Sequence, residues 1–138
     1  KKNIVSKTRR MENVYIDLSY YDSERYLEFL SQFDIGLALY KNYINTTDWD
    51  NLLFSSGKIA SYLWAGLAVF TNIDHPDTHY PPFLFIEKIT TENISCALEE
   101  FKKNKHLYKR AAIKHAKEHY NLDSYMKKVE HRINDILA

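Results

Sequence analysis

Two segments of strand length are apolar almost throughout: FDIGLALY (33–40) and LAVFTN (67–72). A strand with one wet face alternates apolar and polar residues. An unbroken apolar run belongs to a strand covered on both faces, as in a parallel sheet. Glycine and proline occur three times each, so every instance works as punctuation. VYIDL (14–18) reads as a strand. Asp22-Ser23 starts a helix with an apolar stripe at Leu27, Leu30 and Phe33. A polar, aromatic loop spans 41–54, a helix spans 56–65, and Gly66 suits its left-handed C′ position. Asp74-His75-Pro76 and Pro81-Pro82 mark a loop before a short strand, FLFI (83–86). From Thr91 onward the pattern is helical. One helix carries Ile94, Ala97, Leu98 and Phe101; another begins at Leu107, Ala111 and Ala112; a last one carries Tyr125, Val129, Ile133 and Ile136. Strands alternating with helices, then helices alone, predict an α/β domain with a parallel sheet.

The chain has 138 residues, enough for one domain, 1–138, with a real core. Its net charge of +1 gives no global field to attract nucleic acid. Cys96 is the only cysteine. That excludes an internal disulfide and any zinc site needing several thiolates, and it fits a reducing compartment. No apolar run approaches the roughly 18 residues of a spanning helix. The opening KKNIVSKTRR is basic but lacks the apolar segment of a secretory signal. It begins without methionine, so a piece of a longer chain is expected. The expected location is cytoplasmic or peripheral at the inner face of the membrane.

Within 55–72, SSGKIASYLWAGLAVFTN, the residue out of place is Lys58. A helix start carries partial positive charge and favours acidic residues. Counted from Ser55 as N-cap, Lys58 holds the position where a capping box has Glu or Gln. The natural complement is an anion on the free N–H groups and the lysine. Ser55, Ser56, Gly57 and Lys58 therefore form a candidate diphosphate seat. The plainer reading is a serine-capped helix with a solvated lysine.

The same segment resembles the donor-binding half of GT-B-fold glycosyltransferases of group 1, which read S-x-x-K-L/I-x-E-Y-L/M-x-x-G-x-P-V-I/V here. Ser55, Lys58, Ile59, Tyr62, Leu63, Gly66 and Val69 match. The likeness extends over about residues 12–137 and includes the terminal helices, AAIKHAKEHYNLDSYMKKVEHRINDIL. It implies a Rossmann-like sheet within a two-domain architecture and a nucleotide-diphosphate sugar as donor. It also implies transfer of a hexosyl group to an acceptor held by a half absent from this chain, as in polysaccharide biosynthesis. No metal and no cofactor are implied, and Lys58 would be the catalytic cation. Two positions depart from the pattern. Ser61 stands where the family carries a glutamate that grips the ribose, and Ala68 where it carries proline. VYIDL, IGLALY, AVFTN and FLFI then correspond to the third to sixth strands, with no candidate for the first. The alternative is a non-catalytic nucleotide-binding or interaction module of the same fold.

Other residues carry open readings. Ser61 shares a helical face with Lys58: it touches ribose or phosphate, or it is a small residue allowing close packing. Tyr62 is expected to face the core. In the 40–50 loop, Tyr40, Tyr43 and Trp49 are candidates to stack on a base and Lys41 to meet a phosphate, because ligands of open α/β sheets bind at strand carboxyl ends. The alternative is a loop that simply closes the sheet edge. His115-Ala116-Lys117-Glu118-His119 spells H-x-x-E-H. It is read as a solvated histidine-rich face, because Lys114 and Lys117 oppose a dication and no third ligand is evident downstream. The lysines at 102, 103, 105, 109, 114 and 117 and Arg110 form a basic helical region. It is read as solvated or, more sharply, as a contact for a membrane surface or an acidic partner; the resemblance implies a lipid-linked acceptor at such a surface.

Overall fold

The computed structural model describes residues 19, 21–40 and 49–121. The strand expected at 14–18, Lys41, Tyr43 and the helix expected around Tyr125 to Ile136 lie outside the described residues.

The elements run α1 (Ser23–Leu30), β1 (Ile35–Ala38), α2 (Trp49–Ser55), α3 (Gly57–Trp64), β2 (Ala68–Thr71), a 3-10 turn (Pro76–His79), β3 (Phe83–Phe85) and α4 (Thr91–His119). Among the described residues the sheet has three parallel strands in the order β1-β2-β3. Ile35 pairs with Ala68 and Val69 with Phe83, which fixes the register. This is an α/β fold with an open parallel sheet and flanking helices, as the apolar runs predict.

The strand pleat divides the core in two. Ala38, Val69 and Phe83 face one way and pack with Leu53 of α2, Ile59 and Leu63 of α3, and Ala112 and Ala116 of α4. Ala68, Phe70 and Leu84 face the other way and meet Phe101 and Tyr108. The long helix α4 thus serves both faces. It does so through a kink at Asn104, whose φ of −125° and ψ of 22° interrupt the helix. The two helices expected there are present, running end to end across the break at Asn104.

Local chemistry sets the helix ends. Asp22 caps α1 by accepting the Arg25 N–H at 2.9 Å. Gly66, at φ 78°, closes α3. The Leu67 N–H donates to Tyr62 C=O (2.9 Å) and the Gly66 N–H to Leu63 C=O (3.0 Å), the two bonds of a Schellman motif. Tyr62 faces inward as expected: its ring occupies the place a Cβ on Gly36 would need.

Three expectations are corrected. Residues 49–54, the described part of the loop expected over 41–54, are helical, and Ser55 ends that helix. Leu53 supplies the reason, since it is fully buried under the sheet and requires a helical face there. β1 is not covered on both faces, because Leu37 is 56% exposed. The first half of α4 packs over Ala68, Phe70 and Leu84 and extends only to Ile35 of β1. Finally, the stripe on α1 buries Leu30 alone, leaving Leu27 and Phe33 exposed. Phe33 instead lies edge-on to Phe29, at 5.2 Å between ring centroids.

Candidate functional site

Beyond the carboxyl end of β1 the chain is clamped to the chain leaving β2. The Tyr40 N–H donates to Asn72 Oδ1 (2.8 Å), and Asn72 Nδ2 donates to the Tyr40 carbonyl (2.7 Å). The clamp sets the Tyr40 ring beside the start of α3. The Tyr40 hydroxyl is 3.3 Å from Ser56 Oγ. Lys58 Nζ sits over the same ring, 5.1 Å from its centroid, within cation–π range. Among the described residues no carboxylate lies within ion-pair distance of Lys58.

The N-cap of α3 is Ser56, whose side chain accepts from the Ile59 N–H. This corrects the count from Ser55, which ends α2 and is exposed. Lys58 is therefore the second residue of its helix, and the box position falls to Ile59. The first turn of α3 still has no acidic residue. The Gly57 and Lys58 N–H groups belong to the turn a helix leaves without internal partners. A Cβ on Gly57 would meet nothing within 4 Å, so the space before the helix is open.

Of the expected residues, the structure brings together Tyr40, Ser56, Gly57 and Lys58. Ser61 is turned to its own helix: its Oγ donates to the Gly57 carbonyl at 2.8 Å. Trp49 begins α2, and its side chain is not described. Asn72, which the sequence reading missed, carries the clamp. Its only signal was an amide at the end of an apolar strand.

A second cluster follows β2. Thr78, fully buried, locks the 3-10 turn: its Oγ1 donates to Ile73 C=O (2.7 Å) and accepts from the His75 N–H (3.2 Å). His75 Nδ1 accepts from the Asp77 N–H at 3.1 Å. Asp77 thereby faces His115 and His119 of α4, and one donor atom from each of the three lies within 4.8 Å of the others. The imidazoles of His115 and His119 are 4.2 Å apart at their centroids. Phe83 meets the His115 ring edge-on at 5.2 Å, and Phe54 contacts the rings of His75 and His119. His119 is exposed, as the sequence suggested for this face, but His115 is not. His115 is half-buried, and its Nε2 is buried with no hydrogen-bond partner among the described residues. Burial, reinforced by His119, pushes its pKa down to about 4, so the imidazole is neutral at physiological pH.

The basic region is partly neutralised as well. Lys102 pairs with Glu99 (2.8 Å), Lys105 with Asp34 (2.8 Å) and Lys114 with Glu118 (3.9 Å). All three pairs are exposed, and such pairs contribute about 0–1 kcal/mol each. No helix among the described residues is long and apolar enough to cross a membrane. No protein-family model, no curated protein and no solved structure matches the chain.

Proposed function

We propose that this chain forms the nucleotide-sugar-binding part of a GT-B-type glycosyltransferase, with the donor diphosphate seated at the start of α3. The observation that carries this reading is the convergence of Ser56, the Gly57 and Lys58 N–H groups and the Lys58 ammonium beside Tyr40. They meet where open α/β sheets hold ligands, beyond the carboxyl ends of the strands.

The chemistry assigned to Lys58 is charge stabilisation. As the bond between the anomeric carbon and the phosphate oxygen breaks, the electron pair leaves with the diphosphate. The ammonium and the helix start face that growing charge. A new bond forms from the anomeric carbon to an acceptor hydroxyl, whose proton passes to a base on the acceptor side. One helix terminus offers an anion about 0.3–2 kcal/mol, whereas micromolar binding needs about 8 kcal/mol. Base and ribose contacts must supply the rest. Lys103, Lys109, Arg110 and Lys117 are the exposed cations of α4 left to meet a lipid-linked acceptor at a membrane surface.

One observation favours the non-catalytic alternative. Ser61 spends its proton on Gly57 C=O and brings no carboxylate to a ribose. A binding module without transfer would need none.

Calorimetric titration with ADP, GDP and UDP, and with the matching nucleosides, tests the seat. Lys58→Ala is expected to weaken the diphosphates about tenfold and to leave the nucleosides unchanged. Equal losses for both would remove Lys58 from its role. Hydrolysis of sugar nucleotides, measured alongside, separates transferase from binding module.

A further inference from the structure

We propose that Asp77, His115 and His119 form a binding site for one divalent transition-metal ion of the zinc class. The ion would join the 3-10 turn after β2 to the last turns of α4. This site is independent of the nucleotide reading.

Two features of the sequence weigh against a metal, and the structure answers both. The missing third ligand comes from upstream: Asp77, set by the 3-10 turn, reaches the two histidines across the fold. The lysines are not aimed at the site as a pair of free charges. Lys114 is engaged by Glu118, and Lys117 is exposed and lies two residues from either histidine, on another side of the helix.

Three further observations support the assignment. His115 and His119 are one helical turn apart, the spacing that lets two imidazoles share an ion. His115 Nε2 is a buried nitrogen with no hydrogen-bond partner among the described residues. A group of that kind ordinarily finds one, because leaving it unpaired is costly. The donor set, two imidazoles and one carboxylate, suits zinc and its neighbours, not magnesium or calcium, which prefer all-oxygen sites.

The geometry needs modest closure. Metal–ligand bonds of about 2.0–2.2 Å place ligand atoms about 3.4 Å apart around a tetrahedral ion. The three donor atoms lie within 4.8 Å of one another. His119 is exposed and Asp77 half-buried, so side-chain rotation on that side can close the difference. The backbone need not move: the Asp77 N–H is held by His75, and α4 is packed through Ala112 and Ala116. Three protein ligands leave a fourth position for water. His115 also lines a cleft of about 470 Å³ rimmed by Arg110, Lys114 and Glu118.

The test uses the whole chain, stripped with chelator and titrated with Zn²⁺ by calorimetry, with Co²⁺ absorption as a second readout. One Zn²⁺ per chain is expected, with a Kd of about 1 µM or tighter, undisturbed by a large excess of Mg²⁺. His119→Ala and Asp77→Asn are each expected to weaken binding at least about tenfold. His106→Ala, at an exposed histidine of α4 outside the cluster, should bind as the parent does. Melting curves in chelator check that each variant folds. His119 is exposed, so its variant stays informative if Asp77→Asn does not fold. Absence of saturable Zn²⁺ binding overturns the proposal. So does parental affinity in folded Asp77→Asn, which would reduce the site to a surface histidine pair.

Discussion

The start of α3 and the histidine cluster are built in opposite ways. The first is almost wholly local: Ser56, Gly57 and Lys58 are consecutive, and only Tyr40 and the Asn72 clamp come from elsewhere. It is open, and its cation is exposed. The second is assembled from two distant segments, a turn fixed by buried Thr78 and the last turns of a kinked helix. Its central imidazole is half-buried and walled by Phe83. A local site can form with its helix. An assembled site exists only when the tertiary fold does, so its integrity should track global stability.

The largest effect is therefore expected at Thr78. Thr78→Val keeps the volume but removes the hydroxyl that the Ile73 carbonyl and the His75 N–H share. Leaving the buried Ile73 carbonyl unpaired costs about 1–3 kcal/mol. The urea midpoint should fall accordingly, and Zn²⁺ affinity with it, while nucleoside diphosphate affinity stays within twofold or so of the parent. A comparable loss in nucleotide affinity would mean that the two regions form one cooperative unit.

Asn72→Ala reaches the other region. It deletes both bonds of the clamp, and each is worth about 0.5–1.5 kcal/mol. Tyr40 would no longer be held against Ser56 and Lys58. Diphosphate binding should weaken with little change in Zn²⁺ affinity, the reverse of the Thr78 pattern. Measuring both ligands on both variants decides whether the separation is real.

The contrast also explains what could be read in advance. Residues 33–40, 67–72 and 83–86 announced a parallel sheet, because apolar runs and strand burial share one cause. Gly66 announced the end of α3, since few residues but glycine adopt φ 78°. The seat at 56–58 was visible because its parts are neighbours in sequence. Two signals misled. Ser55 and Ser56 are equally good caps, and only the end of α2 chose between them. Residues 49–54 looked like loop because one buried leucine, Leu53, sets no period. The histidine cluster was dismissed because its third member lies upstream, behind a proline. Spacing along one helix says nothing of what another segment brings to it.

A smaller effect separates the regions by pH. In chelator, His115 is held near pKa 4 in the folded chain against an ordinary 6.5. Between these values the unfolded chain binds the proton and the folded chain does not, so stability falls with acidification. The contribution is full above about pH 6.5 and is lost as pH drops toward 4. Melting temperature should decline by a few degrees over that window, and His115→Gln should flatten the slope. An unchanged slope in that variant would place the titrating group elsewhere.

The smallest effect on stability belongs to Gly57, and it is the most discriminating. Gly57 has no positive φ, and a Cβ there meets nothing within 4 Å. Alanine should therefore fit without strain and stabilise the chain by about 0.4–1 kcal/mol, chiefly by restricting the unfolded state. The added methyl projects into the open space before α3, where the diphosphate is seated in the proposed function. Gly57→Ala should raise the melting temperature slightly while weakening ADP, GDP or UDP severalfold, with Zn²⁺ affinity untouched. Opposite signs for stability and binding at one methyl group have no explanation in folding alone. A variant more stable than the parent that bound diphosphates equally well would show the open space to be ordinary surface.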